Sequence, residues 1–306
     1  MRFNKLDLNL LVALDALLAE RSITRAAQRL NLSQSATSGV LARLRDYFED
    51  EILTQIGRNM VMTPLAASLE APVREVLLQI QSTIETKPGF VLEESTRHFR
   101  VIASDYPTSV LMAEVARKMS ELAPNVTLEI MAPGDDHEIQ LDRGEIDLLI
   151  MPAKYLVEGH ASEVLFQDSY SCVVWKDNTI VGDSLTLDQY MSLAHVSTKF
   201  GKAQPSFEEW FLQSTGFARR VEVSTSNFSS LPLLLVGTNR IATMHTRLAD
   251  MFADYFPIRL LPPPMDIPLL VEMMQWHKFV DKDIAHIWFR TLLKEVANAR
   301  RSPLAA

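Results

Sequence analysis

The chain has 306 residues, 47% hydrophobic and 22% charged, with 30 Lys and Arg against 38 Asp and Glu for a formal net charge of −8. These proportions suit about two globular domains, offer no apolar run of the ~18 residues that cross a bilayer, and exclude binding to nucleic acid through bulk positive charge. Cys172, the single cysteine, rules out a disulfide within the chain and a cysteine-based metal site, and residues 1–11 carry Asp7 without a small-residue cleavage site, so no secretory signal and a cytoplasmic protein are expected.

From Leu6 to Glu20, leucines at 10, 11, 14, 17 and 18 fall at helical spacing. Ser22 then stands at an N-cap position, and Ile23, Ala26, Ala27 and Leu30 repeat on one helical face. Asn31 and Leu32 break that pattern. Ser33 offers a second N-cap to a helix striped by Ala36, Val40, Leu41 and Leu44, and so short a connection with alanines at the crossing predicts a helix-turn-helix. On this reading Gln34, Ser35, Thr37 and Ser38, together with the capping Ser33, occupy the outward start of the second helix, where such side chains hydrogen-bond base edges in a major groove. Arg21, Arg25, Arg29, Arg43 and Arg45 surround it with no Asp or Glu between the first and last of them, a placement suited to phosphates. The same spacing also fits a helical hairpin with solvated arginines. The charge is asymmetric in the expected sense: +1 through Arg58, which leaves −9 for the remainder.

Ile52 to Gln55 and Met60 to Met62 flank Ile56-Gly57-Arg58-Asn59 as a small hairpin, a wing with Arg58 at its tip beside the recognition helix. Thr63-Pro64 then pairs an N-cap with proline at the first helical position. Leu65, Leu69, Val73, Val76, Leu77, Ile80 and Ile84 follow every three or four residues until Lys87-Pro88-Gly89. A second copy of the chain is the simplest cover for so long a stripe, and the dimer sets two recognition helices on a pseudo-palindromic site. The helix alternatively packs on the next domain, and Pro72 within it is expected to kink it or start a new segment.

From Phe90 the pattern alternates between strands and helices: strands at 99–104, 126–132 and 147–151, helices at 106–122 and 138–143, then longer strands at 164–176 broken near Asp168. Further units are expected at 208–213, 220–223, 228–236 and 241–244, with a stiff connector at Leu261-Pro262-Pro263-Pro264, a strand at 269–274 and a closing helix at 283–299. Cys172, among Ser171, Val173 and Val174, reads as a buried strand thiol. Ligands of open α/β sheets bind beyond the carboxyl ends of the strands. Ser104-Asp105, Ser197 to Lys199, Asn227-Phe228, His245 to Arg247 and Trp276-His277 fall there, a polar and aromatic set suited to a small aromatic anion or phenol, with Arg247 the candidate for a carboxylate. His195, His245, His277 and His286 also fit structural, hydrogen-bonded roles. No nucleophile elbow, dinucleotide fingerprint, phosphate loop, zinc-protease motif or defensible metal-ligand spacing is present, so neither enzyme activity nor a cofactor or metal is expected.

Leu6-Asp7-Leu8-Asn9-Leu10-Leu11, the run Ala26-Ala27 to Leu30-Asn31-Leu32-Ser33-Gln34, then Ser38, Leu41, Leu44-Arg45 and Thr63-Pro64 resemble the LysR-type transcriptional regulators. The opening residues are similar to the branch of flavonoid-responsive nodulation activators. Ala242-Thr243-Met244-His245, Arg247-Leu248-Ala249 and Trp276-His277 with Asp283, His286, Trp288 and Arg290 are similar to that branch and its salicylate-responsive naphthalene-pathway relatives.

The resemblance implies an α+β multidomain chain: a winged helix-turn-helix over 1–63, a dimerising linker helix over 64–89, and a two-lobed α/β effector domain of periplasmic-binding-protein type 2 over 90–306. Lobe 1 is expected at about 90–161 and 267–306, lobe 2 at about 162–266. It also implies tetramers on promoter DNA, rearrangement by an inducer and contact with RNA polymerase, with Ser104, Asp105, Asn227, Phe228, His245 and Arg247 near the cleft. Two positions depart from the pattern: Ser35 stands where many members have proline, and Ser169, beside Asp168 and Tyr170, stands where salicylate-type relatives have a histidine. The function expected is an inducer-responsive activator of an aromatic-degradation operon, binding double-stranded DNA and a small aromatic inducer as a homodimer or homotetramer, with no membrane partner. A repressor or a flavonoid-type signal sensor of the same family are alternatives, as are, from other classes, a solute-binding protein or an enzyme acting on aromatic acids.

Overall fold

Ser22 and Ser33 begin the two short helices that the N-terminal pattern predicts. Ser22 Oγ accepts from the Arg25 backbone N–H at 3.3 Å and Ser33 Oγ from that of Ala36 at 3.1 Å, each satisfying a donor that the helix itself leaves free. Both lie in the first of two units, Met1–Lys87 and Pro88–Ala306, of a computed structural model that describes residues 2–3, 6–57, 59–85, 91–200, 204–216 and 219–299. The first unit runs β1 (Arg2–Phe3), β2 (Leu6–Asp7), α1 (Asn9–Glu20), α2 (Ile23–Arg29), α3 (Gln34–Phe48), β3 (Leu53–Ile56), β4 (Asn59–Met62) and α4 (Pro64–Glu85). Leu6 and Asp7, expected in the first helix, pair instead with β1, and Asp7 Oδ1 accepts from the Asn9 N–H at 3.1 Å, which starts α1 later.

Leu14, Leu17, Ala26, Leu41, Leu44 and Ile52 form the core of this unit, fully or almost fully buried. Alanine at 26 lets the helices approach, and each buried leucine contributes about 2 kcal/mol. Asp50 Oδ1 holds the start of the hairpin, accepting at 2.6 Å from both the Ile52 N–H and the Thr63 hydroxyl. That clamp keeps Ile52, a β-branched residue, at φ +60°, a conformation costing about 1–3 kcal/mol that its complete burial helps offset. No new segment begins at Pro72: α4 continues through it as one helix. Pro72 and Ser68 are both exposed, so water can serve the Ser68 carbonyl that loses its partner to the proline ring.

The second unit contains two sheets. In chain order it runs β5 (His98–Ala103), α5 (Asp105–Pro107), a π-helical turn (Thr108–Met112), α6 (Ala113–Leu122), β6 (Thr127–Met131), α7 (His137–Asp142), β7 (Leu148–Pro152), β8 (Ala161–Asp168) and β9 (Tyr170–Trp175). It continues with α8 (Leu187–Ser192), β10 (Ala194–Phe200), β11 (Gln204–Pro205), α9 (Phe207–Ser214), β12 (Arg220–Thr225), α10 (Leu231–Leu235) and β13 (Ile241–His245), and closes with α11 (Thr246–Ala253), β14 (Ile258–Leu261), β15 (Leu270–Trp276) and α12 (Ile284–Ala299). One sheet has the order β6-β5-β7-β15-β8; the other has β11-β10-β13-β9-β14 with β12 beside β10. The chain leaves the first sheet at Ser169, between β8 and β9, and returns after Leu261 through the proline run. The crossing therefore falls at Ser169 and not near 161, because β8 pairs with β15 from Ala161 to Asp168. The helix at Thr246–Ala253 and the strand at Ile258–Leu261 escape the sequence reading; both are short, and the strand is hidden between Pro257 and the proline run taken as a connector.

Candidate nucleic-acid interface and ligand cavity

The start of α3 exposes Gln34, Ser35 and Ser38, with Arg43 exposed one turn further on and making no ion pair among the described residues. Ser33 and Ser35 hydroxyls lie 3.0 Å apart, and Ser38 Oγ donates to the Gln34 carbonyl at 2.9 Å. Thr37 is not on this face. It is 0% exposed and donates its hydroxyl to the Ser33 carbonyl at 3.1 Å, which lets a polar side chain sit in the core with Leu41 and Leu44. Ala36 is exposed in its place. The spacing 37, 41, 44 was the signal; Thr at the first position hid it. Gly39, also exposed, has open space where a Cβ would project.

The arginines divide. Arg25 pairs with Glu20 at 3.2 Å yet keeps 62% of its side chain exposed, and Arg29 pairs with Asp15 at 3.7 Å and Glu20 at 3.6 Å. Arg45 is committed to the fold: Nε donates to the Glu51 carbonyl and Nη2 to the Leu53 carbonyl, both at 2.8 Å, tying α3 to the hairpin. These bonds give it a structural role. Arg58, expected at the hairpin tip, lies outside the described residues.

In the second unit a cavity opens among the ends of β5, β7 and β13 and the start of α9. It contains about 510 Å³ of empty space, open solvent included. Ser104, Phe228 and His245, all expected there, line it together with Tyr106, Tyr155, Phe207 and Glu272, which were not. Tyr106 stacks on His245 with centroids 3.8 Å apart and planes 12° apart, and Phe228 meets the same imidazole edge-on at 4.5 Å. Tyr106 donates its hydroxyl to Asp168 Oδ2 at 2.6 Å; the backbone N–H groups of Ser169 and Arg247 also reach this carboxylate, at 2.9 and 3.2 Å.

Burial dominates the electrostatics. It drives His245 down to about 3, so the imidazole is neutral. Glu272 is pushed up to about 8 by burial and then by the charge of Asp168, and Glu208 up to about 7 by burial, opposed by Arg219. Asp168 is raised by burial, against the hydrogen bonds from Tyr106, Arg247 and Ser169. Burial followed by Asp168 holds the Tyr106 phenol well above its ordinary range. Among the described residues, Glu272 Oε2, Glu208 Oε2, the Tyr170 hydroxyl and His245 Nδ1 are buried without hydrogen-bond partners.

Other expected effector residues are engaged elsewhere. Asp105 Oδ2 accepts from the Ser229 N–H and hydroxyl at 2.7 and 2.6 Å, Asn227 Oδ1 accepts from the Ser230 N–H at 3.0 Å, and Ser169 Oγ donates to Thr246 Oγ1 at 2.9 Å, so these three order the loops around the cavity. Tyr170 stacks on Phe207. Ser197 belongs to a different, open groove with Thr198 and Lys199, and its hydroxyl is held by Glu209 and Arg219. Arg247 does not line the cavity: Nη2 donates to the Gln167 carbonyl at 3.1 Å and the guanidinium lies 4.7 Å over Phe166. Trp276 is core, with Nε1 donating to Asp281 at 3.0 Å and Arg290 stacked 4.0 Å over its ring. His195 and His286 bond the carbonyls of Tyr190 and Asp147 at 2.6 and 2.9 Å.

Among the described residues no group of three or more His, Cys, Asp or Glu could hold a metal ion, and no helix is long and apolar enough to cross a membrane. Cys172 is buried in β9 with its thiol pushed up to about 12 by that burial, which disfavours the reactive thiolate.

Residues 8–67 match the family described as "Bacterial regulatory helix-turn-helix protein, lysR family", and residues 92–298 match "LysR substrate binding domain". Among curated proteins the chain is 44% identical to nodulation protein D 1 of Bradyrhizobium diazoefficiens over 97% of its own length and 95% of that protein. It is likewise 44% identical to nodulation protein D 1 of Rhizobium tropici, over 100% of this chain and 99% of the other. Among solved structures, a probable transcriptional regulator from Pseudomonas aeruginosa superposes with a TM-score of 0.65 at 29% identity, covering 95% of this chain and 97% of that one.

Proposed function

The chain belongs to the LysR family of bacterial helix-turn-helix regulators, and from that premise we propose that it is an inducer-responsive transcriptional activator that holds promoter DNA with α3 and senses a small aromatic molecule in the cavity of its second unit. One observation carries the DNA reading: the capped start of α3 presents Gln34, Ser35 and Ser38 outward while Thr37, Leu41 and Leu44 anchor it from behind. Side chains of this type read base edges, Arg25 and Arg43 contact phosphates, and Gly39 leaves room for close approach of a backbone.

Two copies meet through α4, whose Leu65, Val76, Ile80 and Ile84 remain exposed while Val73 packs inward, and two such dimers make a tetramer. The inducer shifts this assembly toward productive contact with RNA polymerase. The 44% identity to proteins named for nodulation favours a flavonoid-type signal response over control of an aromatic-degradation operon. A repressor of the same family is the second reading, and a regulatory role rather than a catalytic one follows the relatives.

A mobility-shift titration of the full chain on its own upstream DNA tests the proposal. Binding should weaken steeply with salt, Arg43→Ala should lower the salt slope by about one, and Gln34→Ala should cost about 1–3 kcal/mol on the preferred site while relaxing one base position. Salt-insensitive binding, or binding indifferent to both changes, overturns it.

A further inference from the structure

Glu272 is the anomaly of the cavity. It stands in β15 on the face shared by Leu270, Met274 and Trp276, all buried core residues, yet it carries a carboxyl. Only 2% of it is exposed, its Oε2 has no hydrogen-bond partner among the described residues, and it lines the cavity. Buried polar groups are nearly always paired, and an orphaned one at a ligand cavity marks a place for a ligand atom. Its surroundings repeat the theme. The Tyr170 hydroxyl and Glu208 Oε2 are also buried and have no hydrogen-bond partner among the described residues, and Tyr170 lies close to the acidic side chains of Glu208, Glu272 and Asp168.

No Lys or Arg lines the cavity among the described residues. Two cations of this unit are spent on rings instead, Arg247 at 4.7 Å over Phe166 and Lys154 at 3.8 Å over Trp210. A carboxylate entering this space therefore loses its hydration without gaining a counter-charge from any described residue, and lies near the acidic Asp168. A neutral hydroxyl meets no such penalty. Below about pH 8 Glu272 is a neutral acid, offering one O–H donor and acceptor oxygens, which matches the donor and acceptor of a phenol.

We propose that Glu272 is a specificity-determining residue: its carboxyl receives a phenolic hydroxyl of an uncharged aromatic effector, and the cavity rejects aromatic carboxylates. The assignment rests on the reading of this cavity as the effector site. It replaces the expectation of an anion held by Arg247.

Calorimetric titration of the full chain at about pH 6.5 with three single-ring probes tests it: 4-hydroxyacetophenone as the neutral phenol, 4-hydroxybenzoate as the anion and phenyltrimethylammonium as the cation. The wild type should bind the phenol at least about tenfold more tightly than either ion. Glu272→Gln, which keeps a donor and an acceptor, should stay within about threefold, and Glu272→Leu should lose at least about tenfold for the phenol. A thermal unfolding scan confirms that the leucine variant is folded. 4-Hydroxybenzoate binding as tightly as 4-hydroxyacetophenone, tighter binding of the ammonium, or unchanged 4-hydroxyacetophenone affinity in Glu272→Leu overturns the assignment. So does a wild type that binds none of the three. In each of these outcomes an intact mobility shift leaves the regulator reading standing, whereas loss of the shift alone strikes that reading and not this one.

Discussion

The exposed face of α3 and the cavity of the second unit are built on opposite principles. The α3 face comes from one stretch of chain: Ser33 caps the helix, Gln34, Ser35 and Ser38 project from its first turn, and the rest of the unit supplies apolar support beneath and the tie of Arg45 to the hairpin. The cavity is assembled from segments far apart, with Tyr106 after β5, Phe207 at the start of α9, His245 at the end of β13 and Glu272 in β15. A local site tolerates change in the rest of the chain provided its support holds. A dispersed site depends on every crossing of the fold.

Leu44→Ala attacks that support and should have the largest effect. Leu44 is 0% exposed beneath α3, so truncation should remove about 2–5 kcal/mol from the first unit and abolish the mobility shift. Phenol titration of the same variant should be unchanged; if ligand affinity falls with DNA affinity, the two sites are not independent.

A pH-dependent effect, spread over several pH units, belongs to the cavity. Glu272 rises from 4.5 to about 8 on folding, so the folded chain holds a proton that the unfolded chain releases. Its stability is therefore complete below about pH 4.5 and is lost progressively as pH rises through about 8. Glu272→Gln removes this loss, and its advantage over wild type in denaturant unfolding should grow by up to about 1.4 kcal/mol per pH unit across that window. An advantage that is flat with pH would show that the carboxyl is not held protonated.

The smallest effect separates stability from recognition at a single atom. Glycine inside a helix costs about 0.5–1 kcal/mol relative to alanine, and a Cβ at Gly39 meets nothing within 4 Å. Gly39→Ala should therefore stabilise the first unit by that amount in denaturant unfolding while weakening the mobility shift. A variant that is more stable and binds DNA equally well would remove Gly39 from the interface.

The same contrast explains what was legible in the sequence. Caps, helical spacing and the Thr63-Pro64 start act over a few residues, so the three helices, the hairpin and α4 could be read directly. Thr37 was misplaced because its burial depends on a hydroxyl bond to the Ser33 carbonyl that apolar patterning does not register. In the cavity, Ser104, Phe228 and His245 were found by the rule that ligands sit at strand ends. Trp276 and Arg247 also sit at strand ends, but Asp281 and Arg290 hold one and Phe166 and Gln167 hold the other. Glu272 left a faint trace, an acid among Leu270, Met274 and Trp276 on one face of a strand, and only the pairing of β15 with β7 and β8 shows where that face looks.

The switch of sheets at Ser169 and the return after Leu261 make the middle of the second unit an insert with two seams. Exchanging residues 170–261 with those of a relative would transplant Tyr170, Phe207, Phe228 and His245 as one cassette and leave Tyr106 and Glu272 in the host. Chemical preference is thus inherited from two parents, and a chimaera cut at these seams would pair the aromatic walls of one ancestor with the acidic anchor of the other.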